Sequence, residues 1–351
     1  MRVEPIAELE ALRQEWSALG ERTGNLFATW EWNSTWWDEL GGRRLLVAAC
    51  RDEAGGLVGL LPAYLAKATG PIRLVRLLGH GQGDRLGPIC MPADRERVAA
   101  ALRVALRSKP WANALILAEQ VPGDEDWAAL LHGRVLSREA SPVLDVATTD
   151  WDEFLAGRSA NLRQEVRRRE RRLAREHDVR YRLIEDAAAL PEALDVLFTL
   201  HGTRWGEAGT PAYGQAQRFH REFAIRAHER GWLRLWFLEV NGRPVGAWHG
   251  FRFGDADWYY QSGRDPAWDR YSVGTVLLAH TIRDCVESGI PRYLLLRGDE
   301  PYKRRFATDD PGLETVAFGA GILGRTGLLA ARSLAKLPTG SRRRIAHVLR
   351  R

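Results

Sequence analysis

Residues 258–306 read WYYQSGRDPAWDRYSVGTVLLAHTIRDCVESGIPRYLLLRGDEPYKRRF, and this stretch decides the fold. An aromatic, strand-forming run at 258–262 leads into the turn signal G-R-D-P at 263–266. Apolar residues at helical spacing then fill 273–289, with Gly289 as C-cap. A short apolar strand follows at 292–296, and a loop, R-G-D-E-P-Y-K, carries the chain to Lys303.

Working outward, Asn241-Gly242 predicts a type I′ turn joining strands at 232–240 and 244–253. Helices are expected at 191–205, with Pro191 in the first turn, and at 215–231. A strand at 181–185 and a long helical region over 151–178 precede them. The first half gives a fainter copy of this order. It has helices at 6–21 and 25–40, strands at 45–50 and 57–66 around the turn D-E-A-G-G, and short strands flanking a Gly-rich loop within 73–90. A helix at 94–109 and strands at 113–119 and 142–146 complete it. The expected class is α/β, in the α+β sense: two tandem domains, each a mixed, mostly antiparallel sheet flanked by helices. The boundaries read 1–148, 149–324, and a basic amphipathic or disordered tail at 325–351.

The 351 residues carry a formal charge of +6, which invites a nucleic-acid partner. Its distribution argues otherwise. Residues 158–182 hold +6, residues 325–351 hold +8, and everything else sums to −8. The body is mildly acidic and bears two basic appendages, so bulk charge supports no nucleic-acid partner. The tail suits weak contact with an anionic inner-membrane surface. Three scattered cysteines make neither a disulfide framework nor a zinc site, and no metal is expected. No apolar run approaches the ~18 residues of a membrane span, and the N-terminus lacks the apolar core of a signal peptide. A cytoplasmic location is expected, peripheral at the inner membrane if the tail binds there.

The element order resembles a GNAT acyltransferase domain. Three stretches resemble the BioF2-like acetyltransferase family, which includes CelD-type cellulose-biosynthesis proteins. They are WEWNSTWW, LVGLLPAYL and LLGHGQGDRLGP within 30–92; N-L-R and the following Arg-rich helix at 158–175; and 258–306, with its G-x-D-P, its G-x-x-L helix start and G-D-E-x-Y-K. The family is related to the FemAB-type aminoacyltransferases, which share the tandem GNAT-like fold. One departure stands out. Members commonly carry an Asp in the strand before G-D-E-x-Y-K, and here 293–297 is Y-L-L-L-R.

The resemblance implies transfer of an acyl group, such as acetyl, from acyl-CoA to an amine, such as a small-molecule or glycan-precursor acceptor of envelope or exopolysaccharide metabolism. It implies a pyrophosphate cradle at Arg270, Ser272, Val273, Gly274 and Thr275, where a helix start offers unpaired amides; a plain helix capped by Ser272 is the alternative. The strand through Tyr260, Gln261 and Ser262 would splay from 293–296 and leave its amides to the pantetheine arm, with one of Tyr259 and Tyr260 facing the cleft. His249 is a base candidate, with His201 and Glu300 behind it. Lys303, with Asp299 and Tyr302, is expected on the acceptor side. Asn161 and Arg163 fit the Arg-helix motif, and Arg163, Arg167 and Arg171 lie one turn apart; interleaved Glu165 and Glu170 make a solvated, salt-linked face the alternative. Arg204 and Trp205 could meet an anionic or sugar acceptor. Two other readings stand beside this one: a FemAB-like transferase fed by aminoacyl-tRNA, and a non-catalytic GNAT-like module.

Overall fold

The structure is a computed structural model that describes residues 1–42, 44–66, 73–205, 213–319, 324, 328 and 329; for Arg204, Trp205 and Gln215 it describes the backbone alone. The basic tail therefore lies almost wholly outside the described residues. The chain forms two compact units, one of residues 1–139 with 311–351 and one of residues 140–310.

The first unit begins β1 (Arg2–Ile6), α1 (Arg13–Thr23), α2 (Trp30–Leu40), β2 (Arg44–Leu45), β3 (Val47–Arg51), β4 (Leu57–Leu61), β5 (Ala63–Leu65), β6 (Arg73–Leu77) and β7 (Ile89–Cys90). It continues with α3 (Arg95–Ala105), β8 (Ala114–Pro122), α4 (Trp127–Leu130) and β9 (Arg134–Glu139). The second unit holds β10 (Val143–Asp145), α5 (Trp151–Ala156), α6 (Ala160–Glu176), β11 (Val179–Leu183), α7 (Leu190–Trp205) and α8 (Gln217–Glu229). Then come β12 (Leu233–Val240), β13 (Arg243–Phe253), β14 (Ala256–Arg264), α9 (Val273–Glu287), β15 (Arg292–Leu294) and α10 (Pro301–Phe306). The chain returns to the first unit as β16 (Leu313–Gly319).

That return corrects the expected boundaries. The 149–324 span would leave β16 in the second domain, whereas β16 pairs with β8 and β9 inside a six-stranded sheet ordered β2-β5-β6-β8-β16-β9. A four-stranded sheet, β1-β3-β4-β7, completes the first unit. Its first strand occupies residues that read as the approach to a helix.

The second unit is one six-stranded sheet, β10-β15-β14-β13-β12-β11, antiparallel except for the parallel pair β14–β15. Asn241 and Gly242 both have positive φ, 51° and 76°, as the expected hairpin turn requires. One face packs on α5, α6 and α9 through Leu162, Val166, Leu173, Val276, Leu277, Trp248 and Tyr259. The other meets α8, where Phe223 sits 5.3 Å from Phe251, ring to ring. α7 approaches β14 so closely that a Cβ on Gly263 would lie 2.4 Å from the His201 amide nitrogen. Both units run strand, two helices, antiparallel strands, a crossover helix and a strand that joins in parallel, which in the first unit is the pair β6–β8.

Candidate active site

The site begins where two parallel strands part. β14 pairs with β15 only from Ala256↔Arg292 to Trp258↔Leu294. β14 runs on to Arg264 while β15 stops at Leu294, and Leu295 and Gly298 turn their amides to the carbonyls of Pro142 and Ala140. From Tyr259 onward β14 therefore has no strand on that side, as the expected splay requires. A cleft of about 370 Å³ opens beside this segment.

The N-terminus of α9 forms one wall through Ser272, Gly274 and Thr275. Ser272 holds φ 54° and ψ 44° and its side chain makes no capping bond, so it is not the ordinary N-cap of the alternative reading. Its carbonyl accepts from the amides of Thr275 and Val276, at 2.9 and 3.1 Å. The N–H groups of Val273 and Gly274 thus start the helix without intrahelical partners. α9 carries no acid in its first turn to occupy that positive end. Val273 itself is fully buried and does not line the cleft, so of the expected cradle residues Ser272, Gly274 and Thr275 are the ones that face it.

Two guanidiniums line the same cleft, those of Arg169 and Arg264. Arg264 Nε donates to Asp269 at 2.6 Å, which holds the Asp269 carboxyl below the usual carboxylate range. Arg169 is tied to Glu165 at 2.5 Å, and Arg305 binds the same carboxylate from the other side. Sequence reasoning missed both arginines. The signal for Arg169 was present: it falls on the face of α6 defined by the buried Leu162, Val166 and Leu173.

A chain of hydroxyls crosses the cleft floor. Tyr259 Oη lies 2.7 Å from Ser262 Oγ and 3.3 Å from Tyr302 Oη. All three residues line the cavity. Tyr259 is therefore the tyrosine that faces the cleft. Tyr260 packs on the opposite face, 5.6 Å from the rings of His220 and His249. A bulge between His249 and Gly250 breaks the strand's alternation at this point.

Other expected residues are placed elsewhere. His249 is 1% exposed, shares a 2.8 Å hydrogen bond with Tyr213, and does not line the cleft. Burial, with a smaller push from His201, lowers its pKa to about 3, so it stays neutral and is a poor base. His201 is also buried, with Nδ1 3.0 Å from the Ser262 carbonyl, bracing β14 from behind. Lys303 is buried too. It donates to the Arg297 carbonyl at 2.6 Å and pairs with Glu300 at 3.1 Å, which pins the loop after β15. Its ammonium lies 5.9 Å from the Tyr259 ring centroid, behind the cleft wall.

Asp299 is exposed and ion-paired with Arg304. Arg270 is exposed, its guanidinium over the Tyr271 ring. Gln261 is half-buried on β14 and does not line the cleft. Asn161 is exposed at the start of α6, and Arg163 donates to the carbonyls of Ala156 and Arg158, at 2.8 Å each. The Arg204 and Trp205 side chains lie outside the described residues. No cluster of His, Cys, Asp and Glu suited to a metal ion occurs among the described residues.

Comparison with known proteins follows this geometry. Residues 160–304 match the family model Acetyltransf_6, described as an acetyltransferase (GNAT) domain. Over this stretch the chain is similar to a GNAT-type acetyltransferase domain. Every residue that lines the cleft lies within it. The fold of the whole chain, this stretch included, is similar to that of FemX, at TM-score 0.65 and 13% identity over 94% of this chain and 100% of that one. It is also similar to the C-terminal domain of a protein described as a lysylphosphatidylglycerol synthetase from Agrobacterium fabrum, at TM-score 0.57 and 12% identity over 92% and 95%. A third similar structure is L-PGS from Bacillus licheniformis, at TM-score 0.52 and 14% identity over 93% and 97%. No curated protein sequence matches the chain. No helix among the described residues is long and apolar enough to cross a membrane.

Proposed function

We propose that this protein is an N-acyltransferase of the BioF2-like, CelD-related kind, taking an acyl group such as acetyl from acyl-CoA to an amine acceptor. The observation that carries this reading is the parting of β14 from β15 beside the uncapped N-terminus of α9. The residues there suit the donor. The N–H of Gly274 at the start of α9, with Arg169 and Arg264 on the same cleft, is an anion-binding set for a pyrophosphate. A Cβ on Gly274 would meet only the Arg264 side chain, at 3.6 Å, so the backbone there is open to close approach.

Acyl-CoA supplies the activated acyl group, as a thioester. The backbone of β14 after Trp258, with no strand beside it on the β15 side, holds the pantetheine arm and polarises the carbonyl. The linked hydroxyls of Tyr259, Ser262 and Tyr302 deliver a proton toward the leaving sulfur. With His249 neutral and buried away from the cleft, the amine's proton leaves to water. We assign the acceptor to small-molecule or glycan-precursor amines of envelope or exopolysaccharide metabolism on the strength of the sequence resemblance. Cytoplasmic placement, with weak inner-membrane contact through the tail, belongs to the same proposal on composition alone.

The likeness to FemX favours a second reading, aminoacyl transfer from aminoacyl-tRNA. Thermal shift separates the two. A melting temperature raised by acetyl-CoA, longer acyl-CoAs or CoA at about 1 mM supports CoA use. No shift with any of them, alongside salt-sensitive binding of bulk tRNA, replaces it with the second reading.

A further inference from the structure

The first unit holds a small cavity that the acyl-transfer reading does not use. It lies where the unit's two sheets part at Pro62, between β4 of the four-stranded sheet and β5 of the six-stranded one. Its volume is about 60 Å³. Four polar side chains lining it are incompletely matched by the protein.

Arg85 is 15% exposed at its side chain, and Asn25 fixes its backbone by donating to its carbonyl at 2.8 Å. Its guanidinium approaches Asp124 and Glu125 only to 3.7 and 3.8 Å, beyond hydrogen-bond reach. Arg95, the first residue of α3, makes no ion pair or side-chain hydrogen bond among the described residues. On the acceptor side, Asn33 is 1% exposed. Its Nδ2 is committed to the carbonyls of Phe27 and Thr29, at 2.9 and 2.8 Å, while its Oδ1 is buried without a partner. Glu125 accepts one bond, from Trp127 Nε1 at 2.7 Å, and burial pushes its carboxyl above the usual range.

Two guanidiniums with donors to spare call for a carboxylate. A buried carbonyl oxygen and a carboxyl call for a donor, and they would repel a simple anion such as phosphate. At ~10–15 Å³ per water-sized group, the cavity holds about four to six non-hydrogen atoms. We propose that the first unit binds a small α-amino acid, glycine or alanine, with its carboxylate on Arg85 and Arg95 and its ammonium on Asn33 Oδ1 and Glu125. Phe27 and Leu86 give the lining an apolar side that suits a methyl group. The free zwitterion is required, so a peptide end does not serve.

Equilibrium dialysis of the full chain against radiolabelled alanine tests this, with glycine, acetate, methylamine, alanyl-alanine and inorganic phosphate as competitors. The expected result is one saturable site, displaced by glycine and not by the other four at equal concentration. Arg95→Gln, which alters a half-exposed side chain, should weaken binding at least about tenfold, as should Arg85→Gln. Arg97→Gln, on the same helix but paired with Asp94 at 2.7 Å outside the cavity, should leave it unchanged. No alanine or glycine bound at about 10 mM would overturn the site. Binding unaffected by Arg95→Gln in a folded variant would overturn it too. Acetate or phosphate competing as well as glycine would overturn the zwitterion. None of these outcomes depends on whether the second unit uses acyl-CoA.

Discussion

His249 shows how burial decides a residue's chemistry. A histidine in the strand beside the presumed catalytic one is a natural base candidate by residue type. The fold removes it by placing it under Tyr213, away from the cleft. His249→Gln should therefore keep the transfer rate within about threefold and leave the pH–rate profile unchanged, since general-base loss costs ~100-fold or more. Stability should respond instead. The ring is neutral in the fold down to about pH 3, whereas the unfolded chain protonates near its ordinary 6.5. The unfolded state thus binds more protons between those values, and this contribution to stability is lost progressively as pH falls through that window. Urea unfolding from pH 7 to pH 4 should show a shallower loss for His249→Gln than for the native protein; equal slopes would reject the assignment. Lys303 is a similar case. It read as an acceptor-side cation and proves to be a buried tie across the loop after β15. Lys303→Met should cost about 1–3 kcal/mol of stability by stranding the Arg297 carbonyl and the Glu300 carboxylate, read as a lowered urea midpoint.

At the level of elements, legibility tracked periodicity. The hairpin at Asn241-Gly242, the helix ending at Gly289 and the strand before G-R-D-P were all readable, because each is fixed by local backbone preference. Tyr259 and Tyr260 were not separable, since the pairing register skips Tyr260 on β14 itself, and this bulge breaks the period of two that would have assigned their faces. On α6 the exposed series of Arg163, Arg167 and Arg171 drew notice. The useful residue was one face away: Arg169 stands in the spacing of Leu162, Val166 and Leu173, where a charge at a core position signals a lined cavity. Arg169→Gln should weaken donor binding severalfold with little change in melting temperature. The contact of α7 with β14 sets the position of the cleft strand. Gly263→Ala places a Cβ against α7 backbone at 2.4–2.5 Å and should destabilise the second unit by about 1–3 kcal/mol, seen as a lowered urea midpoint.

For the whole molecule, the route of the chain mattered more than any motif. The sequence pattern suggested two consecutive domains and a tail. β16 instead carries residues from beyond the second unit back into the first unit's sheet, between β8 and β9. A central strand supplied from 190 residues downstream of β8 leaves no local signal, which is why the boundary near 320 was misplaced. Residues 140–310 should fold alone, while a chain ending at 310 should lose the first unit's cooperative unfolding, both read by circular dichroism. The opening charge arithmetic survives at this scale in altered form: of the Arg helix, Arg169 is the arginine that lines the cleft. The central claim is that this cleft holds an acyl-CoA against the start of α9. Titrating acetyl-CoA calorimetrically into the full chain and into Gly274→Asp tests it most directly. Because a Cβ at 274 has room, the variant adds mainly a negative charge at the anion site. The account predicts one site per chain, weakened at least about tenfold, or ~1.4 kcal/mol, by the substitution. A native protein that binds no CoA, or a folded variant that binds it equally well, would contradict it.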